Sequence, residues 1–315
     1  MRVVFMGTPQ FAVPSLQALA QSKHQVLAAI SQPDRRQGRG MRLVASPVKQ
    51  TAEKLGIPVL QPEKINQPEF MASLAALAPE VIVVVAYGQF IPAELLNLPE
   101  KGCINIHPSL LPRYRGATPI QHAILNGDEV TGVTTMYLDE GLDTGDLIFQ
   151  QQVRIDSSET AGQLQERLSH ISPDVLLRTL NAIEANEAPR LPQDERLSSY
   201  CSKLSRQDGQ LNWEKSSRLL ANQVRAFTPW PGTFTYHHKE RVKVLQAQLG
   251  PNEDGLPGTL RAIVGETLCV HCATGTLILT TVQPENGKPM SGAAYARGRQ
   301  LVAGDSFCWN TDKLL

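Results

Sequence analysis

The sequence predicts an α/β domain built on a mostly parallel sheet, followed by a small β-barrel, and three observations carry that prediction. Through about residue 183, short apolar runs bounded by turn residues alternate with stretches of helical spacing, the pattern of a sheet wound with helices. The run VIVVVA at 81–86 is continuously apolar and β-branched, as in strands buried on both faces of a parallel sheet. Beyond residue 206 the period changes to two, in short runs separated by turn residues, which is the signature of a small barrel. At 315 residues the chain is long for one domain. Two are expected, 1–189 and 207–315, joined by a linker over 190–206.

Val3 to Met6 is a short strand ending in Gly-Thr-Pro, and Phe11 to Gln21 spaces Phe11, Val13, Leu16 and Leu19 as a helix does. A single glycine before a helix is not the G-x-G-x-x-G fingerprint, so a dinucleotide cofactor is not expected. Val26 to Ser31 reads as the second strand. After it, QPDRRQGRGMRLVAS breaks every periodicity. Ser46 to Leu55 is a helix, with Ser46 as its cap and Pro47 at the first position, where a missing N–H costs nothing. A strand at Pro58 to Leu60 and a helix at Pro68 to Leu77 lead into the 81–86 run. Strands follow at Gly102 to Ile106, Thr131 to Leu138 and Leu147 to Arg154, then a long helix from Thr160 to Ile183. The run EANEAPRLPQDERLSSYCSKLS has two prolines, mixed charge and no period, and reads as the linker. In the second domain a helix over Ser216 to Phe227 precedes period-two runs near Thr233 to Tyr236, Val242 to Leu249, Gly258 to Val264, Thr267 to Cys272 and Thr276 to Val282.

Composition narrows the function classes. With 42% hydrophobic and 19% charged residues the chain can bury a full core. Thirty Lys+Arg balance thirty Asp+Glu, so nucleic-acid binding would have to come from local patches. One mild asymmetry exists: residues 206–315 hold twelve basic and nine acidic side chains, a surplus of three, leaving a deficit of three elsewhere. The longest strongly apolar run is far below the roughly 20 residues that span a bilayer, and the opening apolar segment is too short for a signal peptide. No membrane association and a cytoplasmic location are expected. Five scattered cysteines fit a reducing compartment better than a disulfide framework. Only Cys269-Val-His-Cys272 resembles a metal pair, and in a strand that spacing sends the thiols to opposite faces, so no metal is expected.

One 42-residue stretch, Asn105 to Asp146, holds the candidate chemistry. Strand alternation puts Asn105, His107 and Ser109 on one side, directly after a strand. The acidic loop DEGLDTGD then returns Asp143 toward the same sheet edge, as the partner of His107. A lone strand-end histidine is more often structural, and acidic loops are commonly solvated turns. The combination carries the inference, because reactive groups of open α/β sheets collect beyond the carboxyl ends of strands. Separately, Arg35 to Lys49 contains five basic residues and no acid. It reads either as a soluble loop or as a flexible basic arm for phosphates.

NIHPSLLPRYRGATPIQ followed by GVTTMYLDEGLDTGDLI resembles the signature of the folate-dependent formyltransferases. The opening FMGTP, the loop QPDRRQGRG, the strand VVVAYGQFIP and the distal RAFTPWPGTF extend the resemblance over nearly the whole chain, toward the branch acting on methionyl-tRNA. This likeness implies a Rossmann-like catalytic domain and an OB-like barrel that binds tRNA. It implies transfer of a formyl group from 10-formyltetrahydrofolate to the α-amine of methionine on initiator tRNA, by a monomer. Asn105, His107 and Asp143 are then the catalytic set, with Asn105 donating to a developing oxyanion and His107 handling protons while Asp143 orients its ring. Ser109, Leu110, Leu111 and Pro112, with Phe90 and Ile91 at the end of the preceding strand, are implied folate contacts. Arg39 and Arg42 are implied tRNA contacts. Pro108 stands where many members carry glycine, which removes one backbone donor.

Ser109 is discounted as a nucleophile, since no G-x-S-x-G elbow is present and transfer to an amine needs no covalent intermediate. Four rival functions fit the chain less well. A glycinamide ribonucleotide formyltransferase would lack the second domain, and a formyl-folate hydrolase would have no use for a basic arm. A sugar-nucleotide amine formyltransferase, the nearest rival, would lack the QPDRRQGRG loop. A non-enzymatic RNA-binding protein would leave the three polar residues idle.

Overall fold

The structure, a computed structural model, describes residues 1–37 and 41–308. It divides into two compact units. Met1–Pro119, Val130–Arg154 and Gln165–Cys201 form the first; Ile120–Glu129, Ile155–Leu164 and the chain from Ser202 onward form the second.

In chain order the first elements are β1 (Arg2–Gly7), α1 (Val13–Gln21), β2 (Gln25–Ile30), β3 (Arg35–Gln37), β4 (Arg42–Val44) and α2 (Pro47–Lys54). Then come β5 (Val59–Leu60), α3 (Pro68–Ala76), β6 (Val81–Val85), α4 (Ala93–Leu96), β7 (Cys103–His107), β8 (Arg115–Gly116) and α5 (Pro119–Leu125). β9 (Val130–Tyr137), β10 (Leu147–Arg154), α6 (Ala161–Glu184) and β11 (Tyr200–Cys201) follow. A seven-stranded sheet runs β10-β9-β7-β6-β1-β2-β5. Its pairings from β5 through β7 are parallel, while β9 is antiparallel to β7 and β10 to β9.

The sequence pattern explains the sheet's burial. Val4, Met6, Ile82 and Val84 face one core cluster with Tyr87, Leu74 and Leu95. Their neighbours Val3, Phe5, Val81, Val83 and Val85 are fully buried as well. Both faces are therefore covered, and each such side chain removed from water stabilises the fold by about 1.5–3 kcal/mol. α2 starts where its cap predicts: Ser46 accepts the Lys49 N–H at 3.1 Å, with Pro47 at the first position.

Two stretches behave differently from expectation. The basic arm is not wholly irregular, because Arg35, Arg36 and Gln37 pair with Val44, Leu43 and Arg42 as a two-stranded ribbon. Three-residue strands are too short to show a period. Arg39 lies outside the described residues. The stretch 190–206, read as a linker, belongs through Cys201 to the first unit. There β11 pairs in parallel with β8, and Leu191 bridges Leu147.

The second unit adds α7 (Ser217–Ala226), β12 (Thr233–His237), β13 (Glu240–Leu249), β14 (Leu260–Val264) and β15 (Thr267–His271). It ends with β16 (Thr276–Pro284), β17 (Met290–Ser291), α8 (Gly292–Arg299) and β18 (Phe307–Cys308). The strands form an antiparallel sheet ordered β14-β15-β16-β13-β12-β18, with β17 on β16. Irregularities at Val244/Gln246, Gln246/Ala247 and Leu260/Ala262 add twist and curl the sheet into a half-barrel. Its core is Trp213, Leu220, Val242, Leu268, Val270, Leu277, Leu279 and Phe307. Leu268, Val270 and Cys272 share that core and Cys269 does not, as alternation along the strand requires. Among the described residues no cluster of three or more His, Cys, Asp or Glu side chains is placed to hold a metal, and no helix is long and apolar enough to cross a membrane.

Candidate active site

β7 positions the first two groups. Paired to β6 on one side and β9 on the other, it has no freedom of register, and alternation places Asn105 and His107 on one face. The third group comes from the loop between β9 and β10. There Asp143 takes a left-handed conformation, φ +55°, which aspartate tolerates better than most residues. Asn105 Nδ2 donates to Asp143 Oδ1 at 3.3 Å. His107 Nδ1 lies 3.6 Å from Asp143 Oδ2, with the two side chains 5% and 13% exposed. Gly116 N–H donates to that same Oδ2 at 2.8 Å.

The other edge of the imidazole is committed. His107 Nε2 lies 2.9 Å from the Tyr114 carbonyl. A carbonyl only accepts, so Nε2 carries a hydrogen and Nδ1 is the edge left to exchange a proton beside Asp143. Asn105 has two amide hydrogens and spends one on Asp143. The second is available to an oxygen bound in front of it. This arrangement holds a hydrogen-bond donor and a proton-handling pair within one small space, as acyl transfer to an amine requires.

Residues 1–180 match the model of the formyl transferase family, and residues 203–300 that of the formyl transferase C-terminal domain. The chain belongs to the formyl transferase family. The methionyl-tRNA formyltransferase of Moorella thermoacetica is 45% identical over 306 residues, covering 97% of this chain and 98% of the relative. That of Syntrophus aciditrophicus is 43% identical over 303 residues, covering 96% and 97%. The fold is shared with a solved sugar 3N-formyl transferase, crystallised with dTDP and 5-N-formyl-THF. The two superpose with a TM-score of 0.68 at 21% identity, over 91% of this chain and 99% of that one.

In this formyl transferase the other expected site residues are distributed unevenly. Ser109 does not join the triad: its hydroxyl is buried and donates to the Arg113 carbonyl at 2.7 Å, fixing the turn after β7. Leu110 is half-buried and Leu111 buried; the Leu111 carbonyl accepts from Gln150 Nε2 at 2.8 Å, and the Leu111–Pro112 peptide is cis. Phe90 is 69% exposed, whereas Ile91 is packed in the core cluster beside Tyr87. A cleft of about 500 Å³ lies at the start of β7, lined by Leu96, Cys103, Tyr137, Leu138, Asp139 and Glu140 among others. Cys103 is on the same strand as Asn105, two residues earlier, and burial pushes its thiol up to about 12. Arg42 is exposed on β4.

Sequence reasoning missed a second layer. Arg115 is fully buried, and Glu195 binds its guanidinium through both carboxylate oxygens, at 2.9 and 2.8 Å. The Glu195 carboxylate raises the Arg115 pKa, and Arg115 lowers that of Glu195. Gln193 links Arg115 to the Asp143 loop. The available signal was the charged Arg115 inside the motif and a Gln-x-Glu pair in a stretch whose lack of period suggested a linker.

Proposed function

We propose that this chain transfers the formyl group of 10-formyltetrahydrofolate to the α-amine of methionine esterified to initiator tRNA, giving N-formylmethionyl-tRNA for translation initiation. The observation that carries this reading is the convergence of Asn105, His107 and Asp143 within hydrogen-bonding and ion-pairing distance of one another. The near full-length likeness to methionyl-tRNA formyltransferases supports the choice of acceptor.

In the reaction, the amine nitrogen bonds to the formyl carbon while the bond from that carbon to the folate nitrogen breaks. The amine loses a proton and the folate nitrogen gains one. Negative charge collects on the formyl oxygen in between, and the free hydrogen of the Asn105 amide is placed to stabilise it. The His107 Nδ1 edge and Asp143 carry the proton from the attacking to the leaving nitrogen. The folate is held beside the triad, with Phe90, Ile91 and Ser109 to Pro112 as its contacts. The basic arm, through Arg39 and Arg42, contacts the tRNA. The domain over 1–189 holds the chemistry, and 207–315 holds tRNA through phosphates. The enzyme acts as a monomer in the cytoplasm, and a metal has no role in any of these steps.

The test is formyl transfer from 10-formyltetrahydrofolate to three acceptors: charged initiator methionyl-tRNA, charged elongator methionyl-tRNA and an amino-sugar nucleotide. Fast transfer to the initiator alone is the expected result. Transfer to the amino sugar without transfer to tRNA overturns the reading.

A further inference from the structure

Gln193 bridges the loop of Asp143 to a buried arginine, and the chemistry of the triad gives it no part. Its amide nitrogen donates to the carbonyls of Asp143 at 2.9 Å and Gly145 at 2.8 Å, which spends both hydrogens. Its amide oxygen accepts from Arg115 Nε at 3.0 Å. Because arginine only donates, the oxygen end must face Arg115 and the nitrogen end the loop, so the amide has a single orientation.

The arginine behind it is buried and multiply bonded. Arg115 is 0% exposed, and three of its other N–H groups meet both oxygens of Glu195 and the hydroxyl of Tyr200, the last at 3.0 Å. Main-chain pairing of β8 with β11 ties the same residue to the segment that carries Gln193 and Glu195. By contrast, the loop being held relies on unusual backbone. Asp143 has φ +55°, and a Cβ at Gly145 would lie 2.0 Å from the Tyr137 carbonyl oxygen. Two adjacent residues thus grip Asp143 from opposite ends: Gly116 holds its carboxylate, and Arg115, through Gln193, holds its main chain.

We infer that Gln193 is a positioning residue for formyl transfer, which with Arg115 as its anchor sets the Asp143 carboxylate against His107 Nδ1 and Asn105 Nδ2. The inference rests on the reading that these three residues carry the reaction. Reacting groups tolerate little displacement, and a shift of about 1 Å costs on the order of 100-fold in rate.

Gln193→Glu and Gln193→Met in the full chain test it. Glutamate keeps the length and the contact to Arg115 but turns an acceptor toward two carbonyls, and methionine keeps the length without polar groups. The expected result is a folded Gln193→Glu protein with a thermal midpoint near wild type and kcat lower by roughly 10- to 100-fold. KM for folate and for charged tRNA should each stay within about twofold. In an Asp143→Asn background the same substitution should cost less than about threefold further, because residues acting as one unit are not additive. Wild-type kcat in either folded variant overturns the proposal, as does a fully multiplicative loss in the double variant. Failure of both variants to fold also overturns it, by making the amide a structural prop. Absence of transfer by the wild-type chain overturns the functional reading and the proposal together, and is seen before any variant is made.

Discussion

His107 divides its ring between two acceptors, the Tyr114 carbonyl and the Asp143 carboxylate, and only the carboxylate can itself take up a proton. Tyr114 is itself in the left-handed region, φ +61°, so the backbone bends in an unfavoured way at the carbonyl that takes the Nε2 hydrogen. Replacing Asn105, His107 or Asp143 by alanine should each lower turnover by about two orders of magnitude or more, the usual loss when an oxyanion donor or proton carrier is removed. Combined variants should fall short of the product of the single losses. Near-normal turnover in a folded single variant removes that residue from the set. Cys103 shares the strand but not the chemistry. With its thiol pushed up to about 12 by burial, only about one part in ten thousand is thiolate at pH 8. Iodoacetamide at that pH should leave Cys103 unmodified in the folded protein with activity intact, and alkylation at the rate of a free thiol would contradict its burial.

At the scale of elements, what was legible in the sequence had a period. Strands β1, β2, β6, β7, β9 and β10 and helices α2 and α6 are readable because a run of at least four residues of one pattern, or a cap such as Ser46, announces them. The pairing of β8 with β11 was not, since two residues per strand carry no pattern and 85 residues separate Arg115 from Tyr200. α5 and α8 were also missed; α8 is glycine-started and alanine-rich, with no apolar stripe to mark it. For the same reason the triad was readable and its brace was not: Asn105 and His107 share a strand face, whereas Arg115 and Gln193 meet only through the fold. Gly116 shows how much rests on that small pairing. It has φ +115°, and a Cβ there would lie 2.4 Å from the Cys201 carbonyl oxygen. Gly116→Ala should therefore push β8 from β11 and move the N–H that holds Asp143. A stability loss of about 1–3 kcal/mol is expected from the strained backbone, with kcat lowered on the order of tenfold or more. Gly56→Ala is the control: φ is +70° with nothing within 4 Å, so only the backbone cost should appear. Equal kcat in the two variants, measured with their urea midpoints, would show that the β8–β11 pairing is not coupled to the site.

For the whole molecule the fold alone does not choose the acceptor, because the solved sugar 3N-formyl transferase has the same fold. Net charge does not decide it, since basic and acidic residues balance at thirty each. The decision falls to local charge, and the β3–β4 ribbon is the place to look: Arg35, Arg36 and Arg42 lie on it, and Arg42, Leu43 and Val44 are all exposed. Exposed side chains on a two-stranded ribbon contribute little to the core, so Arg42→Ala should leave the thermal midpoint and the KM for folate unchanged. A macromolecular anion that this arginine contacts should feel its loss. One phosphate or base contact is worth on the order of 1–3 kcal/mol, so kcat/KM toward charged initiator tRNA should fall roughly ten- to a hundredfold. If the contact is to phosphate, the slope of log affinity against log salt should also weaken by about one unit, because one fewer counterion is released. Arg39→Ala, between the glycines at 38 and 40, should behave alike. Unchanged kcat/KM on initiator tRNA for both variants at physiological salt would remove the arm from tRNA recognition and move the argument for the acceptor toward a small amine.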